Sequence, residues 1–420
     1  MVGVFPQEIY EDVVGYLKDD PVALKATSLT SFSLIAVSQK YLFSRVVLYP
    51  SIMMDRWSSS KKRATSAQLK RVLADSPHLG CYVRSLELHL CADRHQWLGW
   101  TSSLDFTLHH LSKLQSLVIK VDQASPLSNG YMTRPREDHN GVERITQALI
   151  RTLQIPSLHS LETHYFDTSI LSHCRNLKEI TLSSPIIPRT VSNVVPQTSV
   201  DDNLVFLDAL RVETSSGSDV GRETRIREVL LDHGISLARL KRLSRVAWGV
   251  GNDLVLAELW DIFSECGDSL ESLELQTYFT VEDIHSLDTR KFRLQSLRIL
   301  HLHLYSYDPT TSREDQQHLI ASLIDLCFPS QDGRTTYVSS ELECLTLTEH
   351  NIRWDHLLIG NFLVKVLTDR VRYPKFRKLC WDACINTTRI LKEHIFSNVK
   401  DTLLFEVELG PGALWSEYVY

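Results

Sequence analysis

Leu297-Arg298-Ile299-Leu300-His301-Leu302-His303-Leu304 is the stretch on which the fold of this chain turns. Its leucines at 297, 300, 302 and 304 form an apolar-x-x-apolar-x-apolar phrase. The second half alternates with period two, as a strand with one buried side does. The phrase recurs as Val83, Leu86, Leu88, Leu90; as Leu114, Leu117, Ile119, Val121; and as Leu177, Ile180, Leu182. It returns at Leu207, Leu210, Val212; Leu270, Leu273, Leu275; Leu342, Leu345, Leu347; and Phe376, Leu379, Trp381. Leu158 and Leu161 carry it with a weak end, and Leu240-Lys241-Arg242-Leu243 and Leu403-Leu404-Phe405-Glu406-Val407 are irregular copies. Helical spacing lies between most copies, over 142–153, 224–231, 254–263, 316–326 and 356–367. One strand therefore alternates with one helix, which fits either a repeat solenoid or an ordinary α/β domain with a parallel sheet. The constant spacing inside the phrase favours the solenoid, because a doubly wound sheet has no need of it.

The phrase and its alternation resemble a leucine-rich repeat, and the fold expected over 82–420 is an irregular α/β solenoid, a leucine-rich-repeat-like horseshoe. The copies are degenerate: anchors lie from 19 residues apart (Leu161 to Ile180) to 45 (Leu300 to Leu345), against the roughly 20 to 29 usual for the repeat. Long loops are expected over 122–140, 185–202, 305–314 and 330–340. Side chains alternate along a strand, so the residues between the leucines face away from the core, onto the concave side. These are Glu87, His89, Lys120, Glu162, His164, Arg211, Glu213, Glu274, Gln276, His301, His303, Thr346, Thr348 and Asp382. This strip is the expected binding surface for a target protein.

The first fifty residues have a different character. Ile9, Val13, Val14 and Leu17 recur at helical spacing after Pro6, and the helix is expected to stop near Lys18. Either aspartate of Asp19-Asp20-Pro21 can cap a second helix. Val22, Leu24 and Leu29 begin that stripe, Phe32, Leu34, Ile35 and Val37 continue it, and Tyr41, Leu42 and Phe43 close the segment. About fifty residues is near the lower limit for an independent core, so three short helices with two-sided apolar faces call for a partner or for the rest of the chain to cap.

Phe5-Pro6 with Glu8-Ile9, Ala23-Leu24 with Ser28-Leu29, and Tyr41-Leu42-Phe43 resemble the F-box, in wording closest to F-box proteins of mushroom-forming fungi. Leu34, Phe32 and Ala36 stand where that family usually has a tryptophan, a basic residue and a proline. The resemblance implies a three-helix F-box over 1–50 that docks on a Skp-family adaptor, and through it on a cullin, with Phe5, Pro6, Ile9, Leu24, Leu29, Leu42 and Phe43 as the adaptor-facing and core-forming set. Residues 51–81 read as a helical linker, with a basic helix over 58–76 whose inner side carries Ala67, Leu69, Val72 and Leu73.

The chain has 420 residues, 43% of them hydrophobic, and a formal charge of −6. That balance argues against a nucleic-acid binder, which needs a basic surface. No 18-residue apolar run and no basic leader precede the first helix, so neither a membrane span nor a signal peptide is expected. The eight scattered cysteines read as reduced, mostly buried thiols, and a cytoplasmic or nuclear location follows. His301 and His303 put two imidazoles on one strand face, but the spacing fixes no third ligand. Phosphate-binding, dinucleotide and nucleophile-elbow motifs are missing. No catalytic residue, cofactor or metal is therefore expected. The function expected is a non-catalytic substrate receptor of a Skp-cullin-F-box ubiquitin ligase. The alternatives are a repeat scaffold acting outside a ligase and an enzyme built on an α/β array.

Overall fold

The structure is a computed structural model that describes residues 6–49, 64–90, 94–121, 139–184, 204–214, 226–247, 253–276, 294, 296–304, 341–349, 360–361, 363–364, 367–368, 373–382 and 406–409. The expected long loops, the helix over 316–326 and Phe5 lie outside the described residues, apart from a few loop-end positions. The chain divides into two compact units, Met1–Val205 and Phe206–Tyr420.

The first unit opens with α1 (Gln7–Gly15), α2 (Pro21–Ser28) and α3 (Phe32–Leu42). Asp20 is the residue that caps α2, its carboxylate accepting the N–H groups of Val22 and Ala23 at 3.0 Å each. Pro21 supplies a helical φ at the first position, where no N–H acceptor exists. Ser31 caps α3 through the N–H of Ser33. α1 ends at Gly15, short of Lys18, and the chain continues in tight turns in which Leu17 and Lys18 donate to the carbonyls of Val14 and Gly15. Gly15 also admits the Tyr41 hydroxyl, 3.2 Å from where a Cβ would stand. Val14, Leu24 and Val37 form the small core, with Tyr10, Leu17, Leu34, Tyr41 and Leu42 packed on it.

A parallel sheet begins directly after α3. Its strands are β1 (Arg45–Tyr49), β2 (Ala64–Thr65), β3 (Ser85–Leu90), β4 (Ser116–Val121), β5 (Ser160–His164) and β6 (Glu179–Ser183), in the order β6-β5-β4-β3-β1-β2. The segment read as F-box thus also contributes the strand that pairs with β3, Val46 lying opposite Leu86. Helices α4 (Ser66–Asp75), α5 (Arg94–His109) and α6 (His139–Leu153) pack side by side in sequence order. Hydroxyls of Ser66 and Ser103 lie 2.7 Å apart, and Arg151 pairs with Asp105 at 2.8 Å. α4 begins at Ser66, where Thr65 and Gln68 form a reciprocal capping box. From that start Ser66, Leu69 and Leu73 turn inward, while Ala67 and Val72 are exposed rather than buried.

In the second unit the strands of the long sheet are β7 (Ala209–Thr214), β8 (Arg242–Ala247), β9 (Ser272–Gln276), β10 (Ile299–Leu304), β11 (Cys344–Glu349), β12 (Lys378–Asp382) and β13 (Glu406–Leu409), paired in that order and all parallel. Helices α7 (Ile226–Asp232) and α8 (Asp253–Cys266) fill two of the crossovers, joined by an Arg227 to Glu265 pair at 3.0 Å.

Register explains the repeated phrase. Leu210, Leu243, Leu273, Leu300, Leu345, Leu379 and Val407 form one row across the strands of the second unit. Val46, Leu86, Leu117, Leu161 and Ile180 form the matching row in the first. The apolar residue three places before each anchor, from Val83 and Leu114 to Leu342 and Phe376, is no more than 2% exposed. Before most of the strands one backbone carbonyl accepts two successive N–H groups from the next: Arg84 takes Gln115 and Ser116, and Lys241 takes Glu271 and Ser272. The copy that looks irregular in sequence is regular in register. Leu240 and Leu243 are buried, and Arg245, 3% exposed, stands in the row of Val212 and Leu275.

Candidate functional site: polar strips on the parallel strands of each unit

Within each unit, the residues between the core-facing leucines come together on the polar face of the sheet. In the first unit they gather around Glu87 on β3. Its carboxylate accepts from Lys120 Nζ at 2.9 Å, from His89 Nε2 at 2.8 Å and from Arg45 at 3.3 Å. Burial pushes this carboxyl up, but the hydrogen bonds from Lys120, His89 and Arg45 outweigh it and hold the group at about 2. The His89 ring stacks on Tyr49 with centroids 4.2 Å apart. Next along the strip, His164 Nε2 donates to Glu162 at 2.6 Å, and that bond holds the Glu162 carboxyl below its usual range against the opposing effect of burial. Glu87 is only 8% exposed, so its carboxylate is enclosed by its three partners, whose own side chains stay partly in solvent.

The second unit builds a different cluster on the same plan. Glu274 on β9 lies opposite Ser244 on β8 and His301 on β10, with His303 on the diagonal. Its Oε1 accepts from His303 Nε2 at 3.1 Å and stands 3.7 Å from His301 Nδ1. Oε2 accepts from Ser244 at 2.6 Å and from Arg211 at 3.3 Å, while Arg211 also pairs with Glu213 at 2.6 Å. The His303 bond, more than burial opposes it, draws the Glu274 carboxyl down to about 2, with help from Ser244 and the charges of Arg211 and His301. The two imidazole rings stack at 4.2 Å, and His301 Nε2 lies 2.9 Å from the Thr348 hydroxyl on β11. Burial pulls the His301 imidazole down to about 4, aided by neighbouring His303 and opposed by Glu274.

Sequence spacing supplied the two histidines and the glutamate as separate strip positions. What it lacked was their convergence: one ligand atom from each of Glu274, His301 and His303 lies within 4.8 Å of the others, the one such group among the described residues. Thr346 and Asp382 are half-buried members of the same strip, and Gln276 is buried.

The expected adaptor-facing set divides. Leu24 lies in the helical core, Leu42 packs against it and Phe43 is half-buried, whereas Pro6, Ile9 and Leu29 are exposed. Val13, Tyr16, Val22 and Phe32 are exposed as well, Tyr16, Leu29 and Phe32 at 90%, 87% and 93%. Ile9, Val13 and Tyr16 fall at i, i+4 and i+7, one face of α1. Among the described cysteines Cys174 and Cys266 are buried, and burial pushes both thiols up to about 12; Cys81, Cys344 and Cys380 are partly exposed. A cleft between α5 and α6 is lined by Asp105, His109, Arg151 and Thr152, and its one acid and its arginine neutralise each other.

No protein-family model matches the chain, and no curated protein matches it. Among the described residues no helix is long and apolar enough to cross a membrane.

Proposed function

We propose that the chain is a non-catalytic substrate receptor of a Skp-cullin-F-box ubiquitin ligase acting in the cytoplasm or nucleus. In this reading α1 to α3 are the F-box and dock on the Skp-family adaptor. The parallel sheets belong to a leucine-rich-repeat-like horseshoe whose polar strips hold a target protein. The receptor supplies proximity, raising the effective concentration of target lysines near a ubiquitin-carrying enzyme.

The observation that carries the reading is the apolar surface left on three helices that already have a core. Val14, Leu24 and Val37 close that core without Ile9, Val13, Tyr16, Val22, Leu29 or Phe32. Burying a side chain of this kind contributes about 1.5 to 3 kcal/mol, so two or three of them suffice to anchor a partner. The absence of a matching family leaves the resemblance at Pro6, Ile9, Leu24 and Leu29 as the reason to name the adaptor.

Co-expression of the full chain with a Skp-family adaptor, followed by size-exclusion chromatography, tests this directly. Leu29→Asp and Phe32→Asp are expected to abolish co-elution. Neither should unfold the protein, since exposed changes usually stay within about 0.5 kcal/mol and an acid at the start of α3 suits the helix dipole. Retention of the adaptor by both variants would refute the docking surface. A folded wild-type chain that binds no adaptor would instead make it a repeat scaffold working outside a ligase.

A further inference from the structure

The geometry points to a divalent transition-metal site, of the zinc class, formed by Glu274 Oε1, His301 Nδ1 and His303 Nε2 on β9 and β10. Three observations carry it. The ligand atoms converge, with Oε1 at 3.1 Å from His303 Nε2 and 3.7 Å from His301 Nδ1. Those spacings are close to the roughly 3.3 Å edge of a tetrahedron with metal bonds of about 2.0 Å. The ligands are also oriented from behind. Ser244 and Arg211 hold the far carboxylate oxygen, and a His301 Nε2–H donating to the Thr348 hydroxyl leaves the Nδ1 lone pair facing Glu274. Finally, the charges suit a cation: Arg211 is shared between Glu213 and Glu274, leaving one net negative charge beside two imidazoles.

Two imidazoles and one carboxylate select zinc, cobalt or their neighbours over magnesium and calcium, which take oxygen donors. The metal replaces the proton that His303 Nε2 shares with Glu274, and the His303 proton moves to Nδ1. With its Nε2–H given to Thr348, His301 has no proton to lose from Nδ1. Three protein ligands leave a fourth position for water or for a donor from a bound target. All these residues lie in the second unit and α1 to α3 lie in the first, so the site stands or falls independently of adaptor docking.

The test is titration of the chelator-treated full chain with cobalt chloride, read by visible absorption, followed by displacement with zinc chloride. One equivalent is expected to give ligand-field bands of low-symmetry cobalt. His301→Ala and His303→Ala should each weaken binding by more than about 100-fold, and Thr348→Val, which leaves all three ligands in place, by about 10-fold. His164→Ala, in the first unit, should leave cobalt uptake unchanged. X-ray absorption of the zinc-loaded wild-type protein needs no variant and should show two imidazole nitrogens with oxygen neighbours. No uptake by wild-type protein, a thiolate in the zinc shell, or cobalt binding that survives loss of both histidines would each overturn the site.

Discussion

Glu87 and Glu274 occupy the same place in the repeated phrase, yet their surroundings turn one into the centre of an ion-pair network and the other into a candidate metal ligand. The register makes the correspondence residue by residue. Opposite Glu87 stand Val47 and Val118, with Lys120 on the diagonal; opposite Glu274 stand Ser244 and His301, with His303 on the diagonal. Both carboxyls are held at about 2. An ammonium has only protons to offer, whereas an imidazole also carries a lone pair. The same backbone therefore yields an internally satisfied strip in the first unit and a set of electron-pair donors in the second. Two side chains make the difference.

The largest effect expected comes from exchanging those side chains. His303→Lys places an ammonium where Lys120 stands relative to Glu87, and cobalt uptake should fall by more than about 100-fold while Glu274 keeps a cationic partner. The reverse exchange, Val118→His with Lys120→His, should give the chain a second equivalent of bound cobalt through Glu87. Unchanged uptake in the first variant would show that register does not govern the difference. One equivalent in the second would show that Ser244, Arg211 and Thr348 matter as much as the ligands.

A smaller effect separates the strips by their acid. Glu87→Gln removes a nearly buried carboxylate from Lys120, His89 and Arg45 and should cost about 1 to 2 kcal/mol in urea unfolding, after allowance for the exposure of the three partners. Its folded value, about 2, lies below the ordinary 4.5. Its contribution is therefore complete above about pH 4.5 and is lost as pH falls from there toward 2. Glu162 is the other acid near this group. The gap between wild type and Glu87→Gln should be present down to about pH 4.5 and close below that. A gap undiminished at pH 2.5 would show that packing, rather than charge, is what the substitution removes.

Much of this arrangement can be read from the sequence, and the exceptions share a cause. Each anchor from Leu86 to Leu379 sits in a phrase with its own period, so strand and buried side follow from local spacing. Sequence narrows the capping residue of α2 to Asp19 or Asp20, and only three-dimensional reach selects Asp20. The copy at Leu240 looks broken because Arg245 takes a core-facing place, a substitution that hydropathy cannot read through. Val46 and Leu48 are apolar at strand spacing, but their place beside Leu86 and Leu88 depends on pairing about forty residues away. Glu274 escapes sequence spacing as a third ligand for the same reason: it precedes His301 by 27 residues, and only parallel register puts them side by side. Local chemistry is written in the chain; which local pieces meet is written in the crossover lengths, and here these vary from copy to copy.

The smallest expected effect sharpens the first strip from within. Arg45 and Lys120 both donate to Glu87, but the arginine side chain is 72% exposed and 3.3 Å away, the lysine 37% exposed and 2.9 Å away. Water screens the first pair more than the second, and holding a long exposed side chain in one geometry costs entropy. Arg45→Ala should therefore cost about 0.5 kcal/mol or less, and Lys120→Ala about twice that, with the arginine's share vanishing first as salt is raised through the range where the screening length drops from about 10 to 3 Å. Urea unfolding of the two variants at low and high salt checks the order. Equal costs, or an arginine contribution that resists salt, would mean that β1 is held to β3 through Arg45 more tightly than its exposure allows, and that the ionic network of the first unit extends to the strand next to the helices.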